Sequence, residues 1–203
     1  MSFTSLGLPT SLLEILQENG YKKPYPIQEQ AIPAILEKKD ILGIAQTGSG
    51  KTASFVLPIL TNLQEQITSK SRAVEVLVLV PTRELAEQVK EVFQEFSPGL
   101  EERVKTMAVY GGVAINPQMK AVYGTHVLVA TPGRLLELVD SNAVQLAKVK
   151  TLVIDEADKM LNLGFEEEIT AFDGCKKIYF VRDSSIFPFL EKVRYLSEQI
   201  KIQ

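Results

Sequence analysis

Ala45-Gln46-Thr47-Gly48-Ser49-Gly50-Lys51-Thr52 follows the short run Asp40-Ile41-Leu42-Gly43-Ile44 and precedes a segment of helical spacing, Ala53 to Leu63. This is the strand–loop–helix context that a phosphate-binding loop requires. Gly48 and Gly50 permit a tight backbone that turns the N–H groups of Gln46, Thr47, Gly48, Ser49 and Gly50 into one concavity at a helix start, where an anion is held. Lys51 is expected to place its charge on the outer phosphates of a nucleotide, and the Thr52 hydroxyl to ligate Mg²⁺. The usual pattern opens with Gly, whereas here the first position is Ala45. The competing reading is a Gly-rich turn with no ligand. Gly-Lys-Thr directly after a strand argues against it.

The 203 residues fit one domain, large enough to bury a substantial core. Hydrophobic residues make up 45% and charged residues 23%, the balance of a globular protein and not of a disordered one. A net charge of −3 does not advertise a nucleic-acid binder, so such binding has to come from a local patch or from backbone N–H groups. Cys175 is the only cysteine and His126 the only histidine, which excludes an internal disulfide, a cysteine-rich metal site and a histidine cluster. His126 precedes the apolar run Val127-Leu128-Val129-Ala130 and is read as a strand-edge residue. No apolar stretch approaches a membrane span, and the N-terminus lacks a signal pattern, so a monomer in the cytoplasm is expected.

Pro9 to Asn19 has the stripe of a helix in Leu12, Leu13 and Leu16, with Pro9 in the first turn and Gly20 as the stop. Two prolines, Pro24 and Pro26, frame a turn before a second helix that runs to about Lys38 and is expected to kink at Pro33. From Asp40 onward, apolar runs alternate with helical periods. Strands are predicted at Ile41–Ala45, Val76–Val80, Val104–Val109, Val127–Ala130 and Leu152–Ile154. Helices are predicted near Thr52–Leu63, Arg83–Phe96, Asn116–Tyr123 and Gly133–Val139, and a flexible loop at Thr68–Arg72. Continuous Val/Leu/Ile runs suit strands buried on both faces, so the fold class is α/β, a parallel sheet flanked by helices on both faces. Ligands of such sheets bind beyond the carboxyl ends of the strands. Four polar segments sit there: the phosphate loop, Pro81–Ala86, Thr131–Arg134 and Asp155–Asp158.

Asp155 ends the apolar strand Thr151-Leu152-Val153-Ile154 and is the expected holder of Mg²⁺. Glu156 is then placed to orient or deprotonate an attacking water. A single acid there would more often be a helix N-terminus complementing its dipole. Asp-Glu downstream of Gly-Lys-Thr points to catalysis by Lys51, Asp155 and Glu156. Pro81-Thr82-Arg83, Gly111-Gly112 and Thr131-Pro132-Gly133-Arg134 offer hydroxyls, exposed N–H groups or guanidinium groups, which grip a phosphate backbone without reading bases. Each alone reads as an ordinary turn and helix cap, and their shared position at strand ends is what favours binding.

In their order and spacing, Gly20–Gln28, Ala45–Thr52, Pro81–Ala86, Gly111-Gly112, Thr131–Arg134 and Asp155–Asp158 resemble the first RecA-like domain of a DEAD-box RNA helicase, over about residues 1–168. The resemblance implies a RecA-like P-loop domain and an ATP-dependent RNA helicase activity with ATP and Mg²⁺ as cofactors. It implies RNA, gripped by its backbone without sequence preference, and a second RecA-like domain as partners. It makes residues 1–39 an adenine-sensing region in which Gln28 hydrogen-bonds the base, Tyr21 stacks on it and Phe3 is the isolated upstream aromatic. Arg83, Gly111, Thr131 and Arg134 would line the RNA path, and Asp158 would take part in communication between domains. An Ala opening the phosphate loop is a family variant, which accounts for Ala45.

The sequence also departs from this family. Tyr25 stands where Ser or Thr is usual. After Glu168 the resemblance stops, so residues 169–203 form a divergent segment of a single 1–203 domain. The Ser-Ala-Thr motif is missing, although Lys177–Val181 could still be its strand, and Ile186–Ile200 reads as an amphipathic helix. Two functions follow. The first is the ATP- and RNA-binding half of a helicase, nearly inactive by itself; the alternative is a truncated nucleotide- or RNA-binding module without useful catalysis.

Overall fold

Leu12 and Leu16 lie one turn apart on α1 (Thr10–Glu18), and both are buried. Next comes α2 (Pro26–Leu36), where Pro26 takes the first helical position and so forfeits no helix bond. This helix runs through Pro33 to Leu36. The computed structural model describes residues 1–46, 48–65, 73–162, 176–181 and 200–202, with backbone alone for 161, 162 and everything from 176 on. Thr47, the Thr68–Arg72 loop, Cys175 and all but the last residue of the helix expected over Ile186–Ile200 lie outside the described residues.

Beyond α2 the chain alternates β1 (Ile41–Ile44), α3 (Lys51–Gln64), β2 (Val76–Leu79), α4 (Arg83–Phe96), β3 (Thr106–Val109), α5 (Ile115–Ala121), β4 (Val127–Ala130), α6 (Pro132–Asp140), β5 (Thr151–Ile154), α7 (Ala157–Asn162), β6 (Lys176–Val181) and β7 (Ile200–Ile202). The predicted strands and helices are found within two residues of their expected ends. Ile200 is an exception to its prediction, since it opens a strand and not the end of a helix. Among the described residues the strands form one seven-stranded sheet of order β3-β4-β2-β5-β6-β1-β7, and every pairing is parallel. The strand left open after the missing Ser-Ala-Thr motif is β6, lying between β5 and β1.

Alternation along each strand divides the core. Val76, Val78, Val127, Val129 and Val153 face the side covered by α1 to α4, with Phe55 and Phe93 among its fully buried residues. Leu77, Leu79, Leu128, Leu152 and Ile154 face the side of α5, α6 and α7, with Leu138 and Met160. Both faces are therefore dry, as continuous apolar strands require. Each fully buried Leu or Val contributes about 1.5–3 kcal/mol. His126 is part of this interior: its Nδ1 accepts from the Lys105 N–H at 3.0 Å beside the start of β4.

Candidate functional site

The sharp turn from β1 into α3 is made by Gly48 and Gly50, both at φ +83°. L-residues with a Cβ avoid that left-handed region, so the loop depends on glycine. Gly50 immediately precedes α3, and no side chain caps that helix among the described residues. Its first-turn N–H groups thus remain for an anion. Ser49 is folded back, its hydroxyl donating to the Gln46 carbonyl at 2.7 Å.

Lys51 opens α3 and is buried, its Nζ 3.9 Å from Oδ1 of buried Asp155. At that separation the two attract without a hydrogen bond. Asp155 comes from the end of β5 and accepts from the Glu156 N–H at 2.9 Å. Burial pushes its carboxyl above the usual range, while Lys51 and the Glu156 N–H pull the other way. Glu156 itself sits at φ +52°, a costly backbone state for a residue with a side chain. Its carboxylate lies 3.7 Å from the Lys159 ammonium.

Gln28 reaches the same place from α2. Its Oε1 accepts from the Tyr25 N–H at 2.9 Å, and its Nε2 donates to the Gly50 carbonyl at 3.1 Å. The amide is fully buried, and a Cβ at Gly50 would meet Gln28 Nε2 at 2.6 Å and Tyr25 Cδ2 at 2.8 Å. Tyr21, Tyr25, Gln28, Gly48, Gly50, Lys51, Thr52, Asp155 and Glu156 line one cleft of about 460 Å³. α4 also lines it, through Leu85 of the Pro81–Ala86 segment and through Gln88 and Val92, which sequence patterns did not single out. Phe3 is not in the wall. It is buried edge-on against Tyr21, 6.4 Å between ring centroids, and Tyr21 in turn meets Phe96 at 5.6 Å. Another hollow, about 340 Å³, lies at the N-terminal ends of β2 and β5, where Glu75 is already paired with Lys150 at 2.8 Å.

Along the rim, the segments expected to grip a backbone differ in exposure. Thr82 caps α4, its Oγ1 accepting from the Leu85 N–H at 3.3 Å, while Arg83 beside it is exposed. The Arg83 guanidinium lies 5.8 Å from the centroid of the Tyr110 ring. Pro81 is half-buried, and Gly111, Gly112 and Gly133 are exposed. Thr131 precedes α6 without capping it, and Pro132 is buried. Arg134 is buried too, donating from Nε to Glu137 at 2.9 Å and from Nη2 to the Val113 carbonyl at 2.8 Å, with Nη1 unpartnered. Asp158 Oδ1 is another buried atom without a partner among the described residues.

The family model described as DEAD/DEAH box helicase matches residues 25–183. The ATP-dependent RNA helicase DeaD of Klebsiella pneumoniae is 47% identical over 169 residues, 83% of this chain and 26% of that protein. The DEAD-box ATP-dependent RNA helicase CshA of Streptococcus pneumoniae is 47% identical over 172 residues, 84% of this chain and 32% of that protein. The crystal structure of a DEAD box protein from the hyperthermophile Methanococcus jannaschii aligns with a TM-score of 0.87 and 33% identity, covering 100% of this chain and 56% of that one. The chain thus spans about a quarter to a third of the length of these curated relatives.

Proposed function

Because this chain belongs to the DEAD/DEAH box helicase family and has its RecA-like fold, we propose that its cleft binds ATP with Mg²⁺ and that its rim holds RNA by the backbone. On this reading it is the first domain of an ATP-dependent RNA helicase and remodels duplexes only with a second RecA-like domain. The carrying observation is the convergence of Gln28, Lys51 and the Asp155-Glu156 pair from three segments on one cleft. The donor set suits the cofactors: an uncapped helix start and a buried ammonium for phosphate, and a buried carboxylate beside a hydroxyl for a hard cation. No cluster of three acidic, His or Cys side chains able to hold a metal occurs among the described residues. A cation would therefore share Thr52 and Asp155 with phosphate and water, as Mg²⁺ does.

In this reading Lys51 and the backbone of Gln46 to Gly50 hold the phosphates. Bound ATP and Mg²⁺ supply the phosphoryl group and neutralise its charge. Glu156 takes the proton of the attacking water. Tyr21 stacks on the base, while Phe3 supports Tyr21 from beneath. Asp158 keeps a buried oxygen for contact between domains. An arginine supplied across an interface is worth about 10³–10⁵ in rate. Arg83 and Arg134 are engaged at the rim, so the chain alone is expected to bind nucleotide, hydrolyse it slowly and unwind nothing. The test is ATPase activity with and without RNA, for this chain alone and mixed with a second domain of the family. Stimulation only in the mixture is expected. Unwinding by the chain alone, abolished by Lys51→Ala, would overturn the reading.

A further inference from the structure

Gln118 lies on α5, outside the lining of the nucleotide cleft, and its side chain is buried. Both ends of its amide are spent on one residue. Oε1 accepts from the Tyr110 N–H at 3.1 Å, and Nε2 donates to the Tyr110 carbonyl at 3.1 Å. The Tyr110 side chain is held as well, its hydroxyl donating to Glu87 Oε1 at 2.8 Å and its ring lying under the Arg83 guanidinium. Immediately after Tyr110 come Gly111 and Gly112, and immediately after those Val113, whose carbonyl takes the Arg134 bond. The two glycines are thus pinned on both sides and free only between the pins.

A second observation points outward from the loop. A Cβ at Gly111 or Gly112 would meet nothing within 4 Å. Gly112 needs glycine for its φ of +80°, but Gly111 has no such backbone demand. No packing among the described residues accounts for glycine at 111. Glycine in such a place serves close approach by something outside.

We infer that Gln118 is a positioning residue for RNA: by gripping Tyr110 at two points it fixes both the open Gly111-Gly112 backbone and the Arg83 guanidinium stacked on Tyr110, so that N–H groups and charge meet successive phosphates together. This rests on the backbone-gripping reading of the rim. Loss of the Gln118 amide frees Tyr110, and through it loosens two of the rim's contacts at once. Nucleotide binding, on the far side of α4, is left alone.

The experiment measures binding of a fluorescent oligo(U) by anisotropy, binding of ADP by calorimetry, and exchange of the Tyr110 amide by NMR. It uses the parent chain, Gln118→Ala, Gln118→Glu, Arg83→Ala and the double variant Gln118→Ala/Arg83→Ala. Gln118→Ala should speed Tyr110 exchange at least tenfold and weaken oligo(U) about fivefold or more, with ADP affinity within twofold of the parent. Gln118→Glu keeps the acceptor but loses the donor, and should weaken oligo(U) while leaving the fold intact. The double variant should lose less than the sum of the two single losses, because part of the Gln118 effect runs through Arg83. Unchanged oligo(U) affinity in both Gln118 variants, additive losses in the double variant, or ADP affinity falling in step would overturn the inference. A parent chain that binds no oligo(U) at all would instead overturn the reading of the rim beneath it.

Discussion

Gln28 and Gly50, 22 residues apart in sequence, are joined by a 3.1 Å hydrogen bond from the side-chain amide to the carbonyl at the start of α3. This bond, with the one from Tyr25, uses one of the two N–H groups and one acceptor direction of the amide, leaving one of each for the adenine proposed to bind here. In the free chain the amide is fully buried, and Tyr25 crowds Gly50 beside it. The parent should bind ADP better than GDP, Gln28→Ala should erase that preference, and Tyr25→Ser should enlarge it. Gly50→Ala should lower both ADP affinity and stability, since left-handed backbone costs about 1–2 kcal/mol for other residues and the new Cβ meets Gln28. Calorimetric titration reads all four, and equal affinity of the parent for ADP and GDP would remove the adenine role.

Lys51 and Glu156 flank Asp155 and are expected to differ in what their loss does. On the proposed function Lys51 acts on phosphates already in the bound state, so Lys51→Ala should weaken ATP binding at least tenfold. On the same proposal Glu156 acts on water, so Glu156→Gln should leave binding within twofold and reduce turnover about 10²–10⁴-fold. Turnover is to be measured in the mixture with a second domain. Equal loss of binding in the two variants would refute this division of roles.

The buried Asp155 carboxyl gives the free chain a pH signature. Unfolded, it ionises in the ordinary carboxylate range; folded, burial makes it hold its proton to higher pH. Between those two values the folded state binds more protons, so the Asp155 contribution to stability falls as pH rises. Asp155→Asn cannot ionise. The melting temperature of Asp155→Asn minus that of the parent should therefore grow as pH is raised from the acid side, then level off above the folded pKa. Nucleotide-free scanning calorimetry across pH checks this, and a difference that grew toward acid would contradict the burial argument.

Arg83 and Arg134 carry the same charge in opposite surroundings, with 57% and 6% of their side chains exposed. Arg134→Ala removes the bond to the Val113 carbonyl and should cost about 1.5–3 kcal/mol, seen as a fall of several degrees in melting temperature. Arg83→Ala should change stability by no more than about 0.5 kcal/mol yet weaken oligo(U) binding. If Arg83→Ala destabilised the chain as much as Arg134→Ala, exposure would not be what separates them.

The α/β alternation is legible in the residues alone, because strands buried on both faces must be apolar throughout and helices between them keep a 3.6-residue period. The same holds for Gly48, Gly50, Lys51, Thr52, Asp155 and Glu156, which the structure brings to one cleft, since strand, turn and helix start lie within a few residues of one another. The role of Arg134 was not legible. Its spacing places it at the rim, but only the packed loop from Gly111 to Val113 turns it inward, and Val113 is 21 residues away in sequence. Tyr110 and Gln118 were invisible for the same reason, being a Tyr and a Gln without a pattern until β3 and α5 bring them together. The burial of Gln28 and the place of Phe3 beneath Tyr21 likewise depend on how α2 and the N-terminus lie against α3 and α4. Local backbone chemistry is written in neighbouring residues, whereas the partner of a long polar side chain is chosen by the tertiary fold, where each buried donor must find an acceptor.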